Sequence, residues 1–306
     1  MSDVKGAMFL AEQIAREAGE LIMRGERDRS GQRPEVESTK SSPTDVVTAM
    51  DRAVEELLRR RLGEVRPGDG VLGEEAGLVT GTTGLTWVLD PIDGTVNYLY
   101  RIPAYAVSVG LVTGDPTTPG QWHAVAGCVH QPATGDTWTA GHSEGAWAGE
   151  HQLRLRPAAE LSQALIATGF GYRRQRRIGQ ARVLTGVLPR VRDIRRIGSA
   201  ALDLCAVATG TLDGYYERGV NVWDIAAASL VLTEAGGALR GLRGAPAGPE
   251  MVVAGGDPLL ADLTELLAEL DADTDPEAET DLEAESDPEA GSTAEAGAAG
   301  TGAAPA

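Results

Sequence analysis

The order of helical and β-prone segments is the feature that most limits how this chain can fold. Two amphipathic helices are predicted first, over residues 8–22 and 46–62, because their apolar side chains recur at three- and four-residue spacing. Short β-prone runs bounded by Gly, Pro and Asp follow, at Gly70–Gly73, Thr86–Leu89, Ala104–Val112, Ala124–Val129 and Thr137–Ala140. Because helices and strands come in blocks, we predict an α/β fold in stacked layers rather than a simple doubly wound sheet.

The second half of the chain mixes the two types of element. Strands are predicted at Leu165–Thr168, Asp193–Ile197, Gly214–Glu217 and Met251–Ala254. Helices are predicted at Gly179–Leu188, Ser199–Thr209, Asp224–Ala235 and Pro258–Leu270. Ser199 and Asp224 are suitable N-cap residues for two of these helices. The polar stretch from Gly25 to Pro43 predicts a loop between the first two helices.

The composition changes after Leu270. Of the 306 residues, the segment 271–306 contains 11 of the 45 acidic side chains, none of the 27 basic ones and no aromatic residue. This composition predicts a folded domain at 1–270 and a disordered acidic tail at 271–306. Outside the tail the charges nearly balance, which argues against nucleic-acid binding. No apolar run is long enough to span a membrane, and no signal-peptide pattern is present, so we expect a soluble cytoplasmic protein.

Two aspartates directly after an apolar run are the first candidates for chemistry. If the strand stops at Pro91, then Asp90 and Asp93 lie on one rim, and the N–H groups of Gly94 and Thr95 can donate outward. Two carboxylates beside N–H donors suit a divalent cation together with a phosphate oxygen. An ordinary acidic turn is the alternative, since Asp, Pro and Gly are common turn residues.

Further acidic residues have simple structural explanations when each is taken alone. Glu74-Glu75 after a strand can be a solvated pair, Asp224 can be a helix cap, and Asp51 can be an exposed helical residue. Taken together with Asp90 and Asp93, they form a set of oxygen donors without a matching set of His or Cys. Such a set favours Mg²⁺, and two ions can bind the attacking and leaving oxygens of a displacement at phosphorus.

Four motifs in a fixed order resemble the inositol monophosphatase family. They are the Asp51 element, Glu74-Glu75, the segment Trp87–Tyr98 with its Asp-Pro-Ile-Asp-Gly-Thr core, and Trp223-Asp224-Ile225-Ala226-Ala227 through Gly236-Gly237. The resemblance covers residues 4–270 and implies a layered αβαβα sandwich, as in fructose-1,6-bisphosphatases. It also implies a homodimeric, Mg²⁺-dependent, Li⁺-inhibited phosphomonoesterase. Its substrate would be a small phosphorylated polyol, myo-inositol 1-phosphate.

The same resemblance implies roles for individual residues. It implies that about two to three Mg²⁺ ions are held by Glu74, Asp90, the carbonyl of Ile92, Asp93 and Asp224, with Asp90 bridging. It implies that Asp51 and Thr95, together with Glu74, orient and deprotonate the attacking water. It further implies substrate contacts from Asp93, Gly94, Thr95, Gly198, Ser199, Ala200, Glu217 and Asp224, and a loop contact from Lys40. Gly198-Ser199 can instead be a helix cap, and Lys40 a solvated loop residue.

Several functional alternatives stay open. Other esters handled by similar phosphatases are histidinol phosphate, fructose 1,6-bisphosphate and 3′-phosphoadenosine 5′-phosphate. The residues after Thr95 resemble the inositol monophosphatase branch, whereas the basic run Arg173–Arg177 either extends specificity to a more anionic substrate or forms a solvated loop. A regulatory, partner-binding protein on this fold is the alternative from another class, and the acidic tail could attract a basic partner.

Overall fold

The computed structural model describes residues 2–28, 34–40 and 46–274, and within these ranges it contains seven α-helices and fifteen strands. The helices are α1 Ser2–Asp28, α2 Ala49–Val65, α3 Thr95–Tyr100, α4 Arg174–Val187, α5 Ala200–Thr209, α6 Val222–Glu234 and α7 Leu259–Glu269. None of the helices in the described ranges is long and apolar enough to cross a membrane.

The strands form three sheets. They are β1 Val36–Thr39, β2 Val46–Thr48, β3 Gly70–Gly73, β4 Gly77–Val79, β5 Leu85–Asp93, β6 Ala106–Gly114, β7 Trp122–Gln131, β8 Asp136–Gly141, β9 Gly145–Ala148, β10 His151–Gln152, β11 Leu165–Thr168, β12 Asp193–Arg195, β13 Gly214–Glu217, β14 Ala238–Arg240 and β15 Val252–Gly255. The large sheet has the order β10-β9-β8-β7-β6-β5-β3-β4, the second has the order β12-β11-β13-β15-β14, and β1 pairs with β2. All pairs in the large sheet are antiparallel except β3 with β5.

Helices cover both faces of both larger sheets. The helices α1 and α2 pack on the outer face of the eight-stranded sheet, and α5 and α6 lie between the two sheets. The helices α4 and α7 pack on the outer face of the five-stranded sheet. Side chains alternate across a strand, so Tyr215 of β13 joins the middle layer while Tyr216 joins the α4–α7 layer. The order of layers is therefore α-β-α-β-α, which confirms the predicted architecture.

Two boundaries near the N-terminus differ from the sequence prediction. The helix α1 continues to Asp28, although the polar composition predicts a loop from Gly25, and the strand β1 lies within the same predicted loop. Polar side chains do not by themselves end a helix, and no Pro occurs between Gly25 and Asp28. Residues 46–48 form β2 rather than the start of α2, because Thr48 caps α2 by accepting a hydrogen bond from the Met50 N–H. Residues 29–33 and 41–45 lie outside the described ranges.

The acidic motif in the middle of the chain also departs from the prediction. The strand β5 continues through Pro91 to Asp93, although Pro was expected to end it. Its register with β6 shifts between Asp90 and Asp93, so Pro91 lies in an irregular stretch where no ladder hydrogen bond is needed from it. Asp224 is not an N-cap: Asn221 caps α6, and Asp224 is the third helical residue.

Other differences concern short or shifted elements. The strands β4, β9, β10 and β14 were not predicted, because two to four residues carry little periodic signal. The helix α4 begins at Arg174, five residues before its predicted start. Residues 271–274 form a turn in which Ala272 is buried against α7 and Arg243 binds Asp271 and Asp273. The tail predicted for 271–306 is otherwise outside the described residues and stays a prediction.

Candidate active site

Two acidic motifs meet because β3 and β5 are parallel neighbours. Gly73 is in register with Leu89, so Glu74 and Asp90 follow at the same edge of the sheet. Three residues after Asp90, β5 ends at Asp93. The Ile92 N–H donates to Asp90 Oδ1 (3.0 Å), which fixes the orientation of that carboxylate. The strand pairing thus gathers acidic side chains from residues that are far apart in the sequence.

A third aspartate reaches the same point from the helix α6. The Ser108 hydroxyl of β6 donates to the Trp223 carbonyl (3.2 Å), which holds the start of α6 against the sheet. Asp224 Oδ2 accepts a hydrogen bond from the Asn221 N–H (2.6 Å). Asp90, Asp93 and Asp224 each have an oxygen within 4.8 Å of the others. Asp224 therefore supports the helix start and belongs to the acidic cluster at the same time.

These carboxylates repel one another and are poorly solvated. Burial raises the pKa of Asp90 well above its usual range, and the charges of Glu74, Asp93 and Asp224 raise it further. Burial and the charge of Asp93 likewise raise the pKa of Asp224. Burial raises the pKa of Asp93 to about 6, although hydrogen bonds from Ser199 and Ala201 oppose this rise. The protein alone does not neutralise this cluster.

The cluster fits a divalent cation. Lys40 pairs with Glu74 and Glu75, and the charge of Arg196 lowers the pKa of Asp93, but burial and mutual repulsion still keep the pKa values of Asp90, Asp93 and Asp224 raised. Carboxylate oxygens, with the nearby carbonyl of Ile92, are hard donors of the kind that Mg²⁺, Mn²⁺ and Ca²⁺ prefer. A bound cation would remove the mutual repulsion that raises the pKa values. The residues present therefore fit a metal ion, and Asp90, Asp93 and Asp224 are the ones that could hold it.

Asp51 and Thr95 lie together beside this cluster. Asp51 is 1% exposed, which contradicts the expectation that it lies on the helix surface. Its Oδ2 accepts from the Thr48 N–H (2.8 Å) and hydroxyl (2.6 Å), while the Thr95 hydroxyl lies 3.1 Å from its Oδ1 and 3.0 Å from the Ile92 carbonyl. Burial raises the pKa of Asp51, and the Thr48 donors oppose that rise. A buried carboxylate and a hydroxyl are thus oriented next to the acidic cluster.

The tight bend between Asp93 and Thr95 requires a glycine. Gly94 has φ of +94°, which only glycine adopts without strain. A Cβ atom at this position would also meet the carbonyl oxygens of Ala104 and Gly198, at 3.0 and 3.1 Å. The side chain of any other residue would therefore separate the acidic strand end from the loop that carries Gly198.

Lys40 contacts the two glutamates that follow β3. Its Nζ is 2.7 Å from Glu74 Oε1 and 2.5 Å from Glu75 Oε1, so it is not a solvated loop lysine. Burial lowers the pKa of Lys40, but the carboxylates of Glu74 and Glu75 outweigh this effect and raise it above its usual value. Burial raises the pKa of Glu74 to about 7, although Lys40 opposes the rise. The neighbouring residues 41–45 are outside the described ranges.

A cavity of about 490 Å³ opens next to the acidic cluster. Its wall includes Glu217, Gly198 and Ala200, for which the family resemblance implies substrate contacts. Burial raises the pKa of Glu217 to about 7, although the Tyr215 hydroxyl donates to Glu217 Oε2 (2.9 Å) and opposes the rise. Part of the wall is basic and is formed by Arg173, Arg176 and Arg196, and the charge of Arg196 lowers the pKa of Asp93.

Ser199 is buried next to Asp93. It is 1% exposed, and its hydroxyl donates to Asp93 Oδ2 (2.6 Å) while accepting from the Leu202 N–H (3.3 Å). The Ala201 N–H donates to the same oxygen of Asp93 (2.7 Å). Ser199 is therefore the N-cap of α5, as predicted, and it also orients Asp93.

Three further polar residues support the site without having been singled out from the sequence. Tyr215 orients Glu217. The Asn97 amide donates to the carbonyls of Ala104 and Ile197, which belong to two different loops. Glu55 is buried one helical turn after Asp51. Of the three, only Glu55 could have been found from the sequence. It lies four positions after Asp51, so the two acids share a helical face with apolar side chains.

Comparison with known proteins agrees with this geometry. Residues 4–274 match the model of the inositol monophosphatase family. Inositol-1-monophosphatase SuhB from Mycobacterium tuberculosis is 47% identical over 276 residues, which cover 85% of this chain and 92% of that protein. Nus factor SuhB from Pasteurella multocida is 35% identical over 230 residues, covering 74% of this chain and 82% of that protein. The extragenic suppressor protein suhB from Bartonella henselae superposes with a TM-score of 0.75 at 30% identity, covering 86% and 98% of the two chains.

The match of the family model spans nearly all of the described residues, and it includes every acidic residue of the cluster. The chain therefore belongs to the inositol monophosphatase family, whose members are metal-dependent phosphatases.

Proposed function

We propose that this protein hydrolyses myo-inositol 1-phosphate and related inositol monophosphates to inositol and phosphate, with Mg²⁺ as the cofactor. The observation that carries the proposal is the acidic cluster of Asp90, Asp93 and Asp224 at the end of a cavity that also contains Glu217. One end of the cavity suits cations with a phosphate, and Glu217 suits a ligand rich in hydroxyl groups. The name of the Mycobacterium tuberculosis relative supports the same substrate.

About two to three Mg²⁺ ions would be held by Glu74, Asp90, the Ile92 carbonyl, Asp93 and Asp224. When bound, the ions supply charge stabilisation for the phosphoryl oxygens and increase the acidity of water. The mutual repulsion of the buried carboxylates supports this assignment, because only cations relieve it without protonation.

Asp51 and Thr95 would orient and deprotonate the attacking water. The Thr95 hydroxyl donates to Asp51 Oδ1, which leaves the lone pairs of its oxygen available to accept from the water. The proton then moves from the water through the Thr95 hydroxyl to Asp51. The raised pKa of Asp51 suits a general base, since a more basic carboxylate accepts a proton more readily. Glu74 would assist from the other side of the cluster.

The substrate would lie between the acidic cluster and the loop before α5. Its phosphate would contact Asp93 and Asp224 through the cations, and the backbone of Gly94 and Thr95 directly. Its ring hydroxyls would donate to Glu217 and contact the backbone of Gly198 and Ala200, which line the cavity. Ser199 would act from below through its hydrogen bond to Asp93, and Lys40 would close the site beside Glu74.

The test is phosphate release in the presence of Mg²⁺ from four esters: inositol 1-phosphate, histidinol phosphate, fructose 1,6-bisphosphate and 3′-phosphoadenosine 5′-phosphate. We expect a preference for the inositol ester and its suppression by Li⁺. A preference for another ester would refute the proposed substrate while keeping the metal chemistry. The absence of release from all four would refute the proposed activity.

A more anionic substrate such as fructose 1,6-bisphosphate is a second candidate. The observation that favours it is the basic part of the wall, Arg173, Arg176 and Arg196, which lines the same cavity as the acidic cluster. A second phosphate on the substrate would be attracted to this wall. If this candidate is correct, replacing Arg196 by Gln will weaken turnover of the bisphosphate and leave that of inositol 1-phosphate nearly unchanged.

A partner-binding role is the candidate from another class. The name Nus factor SuhB of the Pasteurella multocida relative supports it. We also propose that the protein functions as a homodimer in the cytoplasm. Light scattering of the purified protein tests whether it is a dimer. Removal of residues 275–306 would separate the two roles, because a tail-dependent partner would be lost while phosphatase turnover stays intact.

A further inference from the structure

Glu55 is a buried acidic residue to which the proposed mechanism assigns no step. It lies on α2, one helical turn after Asp51, and is 2% exposed. Both of its oxygens are used by the turn that follows β3. Oε2 accepts from the Glu75 N–H (2.8 Å), and Oε1 accepts from the Ala76 N–H (3.0 Å). The carboxylate therefore holds the backbone directly after Glu74.

Arg59 completes this arrangement from the same helix. Its Nε donates to Glu55 Oε1 (2.7 Å), and its Nη2 donates to the Gly77 carbonyl (2.5 Å). The pair thus binds the turn at both ends, with Glu55 on its N–H groups and Arg59 on its last carbonyl. A Cβ atom on Gly73 would overlap the Glu55 carboxylate, so the end of β3 is shaped to admit it.

Burying a carboxylate and a guanidinium is costly, and apolar replacements often stabilise a protein equally well. Here the hydrogen bonds of the pair are directed at one four-residue turn and, at 3.5 Å, at the Val71 carbonyl of the strand before it. That turn carries Glu74 at its start and Glu75 next to it, and Lys40 contacts both. The orientation of the Glu74 carboxylate relative to Asp90 depends on where this backbone lies.

We propose that Glu55, held by Arg59, is a positioning residue that fixes Glu74 for cation binding at the edge of the acidic cluster. It contacts neither substrate nor cation, and it acts only through the backbone N–H groups of Glu75 and Ala76. The inference rests on the proposed metal site. Outer-shell hydrogen bonds of this kind change metal affinity by about 10- to 100-fold when they are removed.

The test is calorimetric titration of the full chain with Mn²⁺ and with Mg²⁺, for the wild type, Glu55→Gln and Glu56→Gln. Gln keeps the size of the side chain but can accept with only one of its two ends, so one side of the turn is released. Glu56 is the matched control, because it is the next residue on the same helix and is exposed. We expect Glu55→Gln to bind Mn²⁺ about 10- to 100-fold more weakly, with kcat at saturating metal close to the wild-type value. Glu56→Gln should match the wild type in both.

A thermal melt of each variant in EDTA separates positioning from general stability. If Glu55→Gln binds metal as tightly as the wild type while its melting temperature falls, the proposal is wrong and Glu55 only supports the fold. If Glu55→Gln does not fold, Arg59→Lys replaces it, since Lys lacks the planar fork with which Arg59 binds Glu55 and the Gly77 carbonyl. Unchanged Mn²⁺ affinity in that variant would likewise refute the proposal. A wild-type protein that binds no metal would instead refute the proposed function.

Discussion

Replacement of Asp93 by Asn tests the acidic cluster most directly, because it removes one charge and little else. Asp93 Oδ2 accepts from the Ser199 hydroxyl and the Ala201 N–H, and an amide oxygen can accept both bonds. Asp93 also offers an oxygen within 4.8 Å of oxygens of Asp90 and Asp224, and an amide NH₂ group in its place cannot bind a cation. The substitution should therefore keep the fold and abolish one metal ligand.

The effect on stability has a definite sign in the absence of metal. Burial raises the pKa of Asp93 from 3.8 to about 6, so between these pH values the folded protein keeps a proton that the unfolded chain releases. The contribution of Asp93 to stability is therefore most favourable below pH 3.8 and is lost as the pH rises to about 6. A rise of this size corresponds to a loss of at most about 3 kcal/mol in the free energy of unfolding at neutral pH. This is an upper limit, because Asp90 and Asp224 carry the same repulsion and share the loss with Asp93. Asn has no such cost, so the metal-free Asp93→Asn protein should melt up to roughly 6 °C higher.

Metal should cancel most of this difference. A cation at about 100 times its Kd stabilises the wild type by about 2.7 kcal/mol, and the variant should gain much less. Turnover of inositol 1-phosphate at saturating Mg²⁺ should fall by about 100-fold or more, since even outer-shell changes cost 10- to 100-fold. The assays are phosphate release and thermal melts at pH 7 in EDTA and in Mg²⁺. Asp262→Asn, an exposed acid on α7, is the control. Near-normal turnover of a folded Asp93→Asn protein, or a lower melting temperature in EDTA at pH 7, would refute the reasoning.

Three other predictions concern separate parts of the molecule. Asp203 is 1% exposed, and burial together with the charges of Glu217 and Asp93 raises its pKa to about 9. In EDTA, the free energy of unfolding of Asp203→Asn should therefore rise relative to the wild type by about 1.4 kcal/mol per pH unit between pH 6 and 8. Urea unfolding that shows the same pH dependence for both proteins would contradict this. Thr95→Val removes the hydroxyl beside Asp51 and should lower kcat by about 100-fold without changing Mn²⁺ affinity in calorimetry, whereas an equal loss of affinity would mean that Thr95 acts through the metal. Truncation after Thr274 should leave kcat and KM unchanged, and any loss of turnover would show that residues 275–306 take part in catalysis.

The layered fold was largely readable from the sequence because its longer elements carry strong periodic signals. The apolar runs that became β5, β6 and β7 identified the large sheet, and the spacing in α1 and α2 identified its outer cover. The boundaries were less predictable, since strand pairing rather than local preference decides them. Pro91 remains in β5 only because the register with β6 shifts around it.

The residues of the site were also named from the sequence, but their arrangement was not derivable from it. The motif order and residue types determined which acids to consider, since oxygen donors without His or Cys favour hard cations. Only the tertiary structure decided that Glu74 and Asp90 are neighbours through parallel strands, and that Asp224 joins them from a helix start far along the chain.

Burial shows the same division between sequence and structure. From the sequence alone Asp51 is most simply an exposed helical residue, and Glu55 has no feature that separates it from Glu56 except its spacing from Asp51. The fold buries both, because the turn after β3 packs across that face of α2. Local sequence determines which side chains a segment offers and at what spacing. The contacts between distant segments decide which of those side chains lose water, and burial is the largest cause of the raised pKa values of Asp51, Asp90 and Asp224.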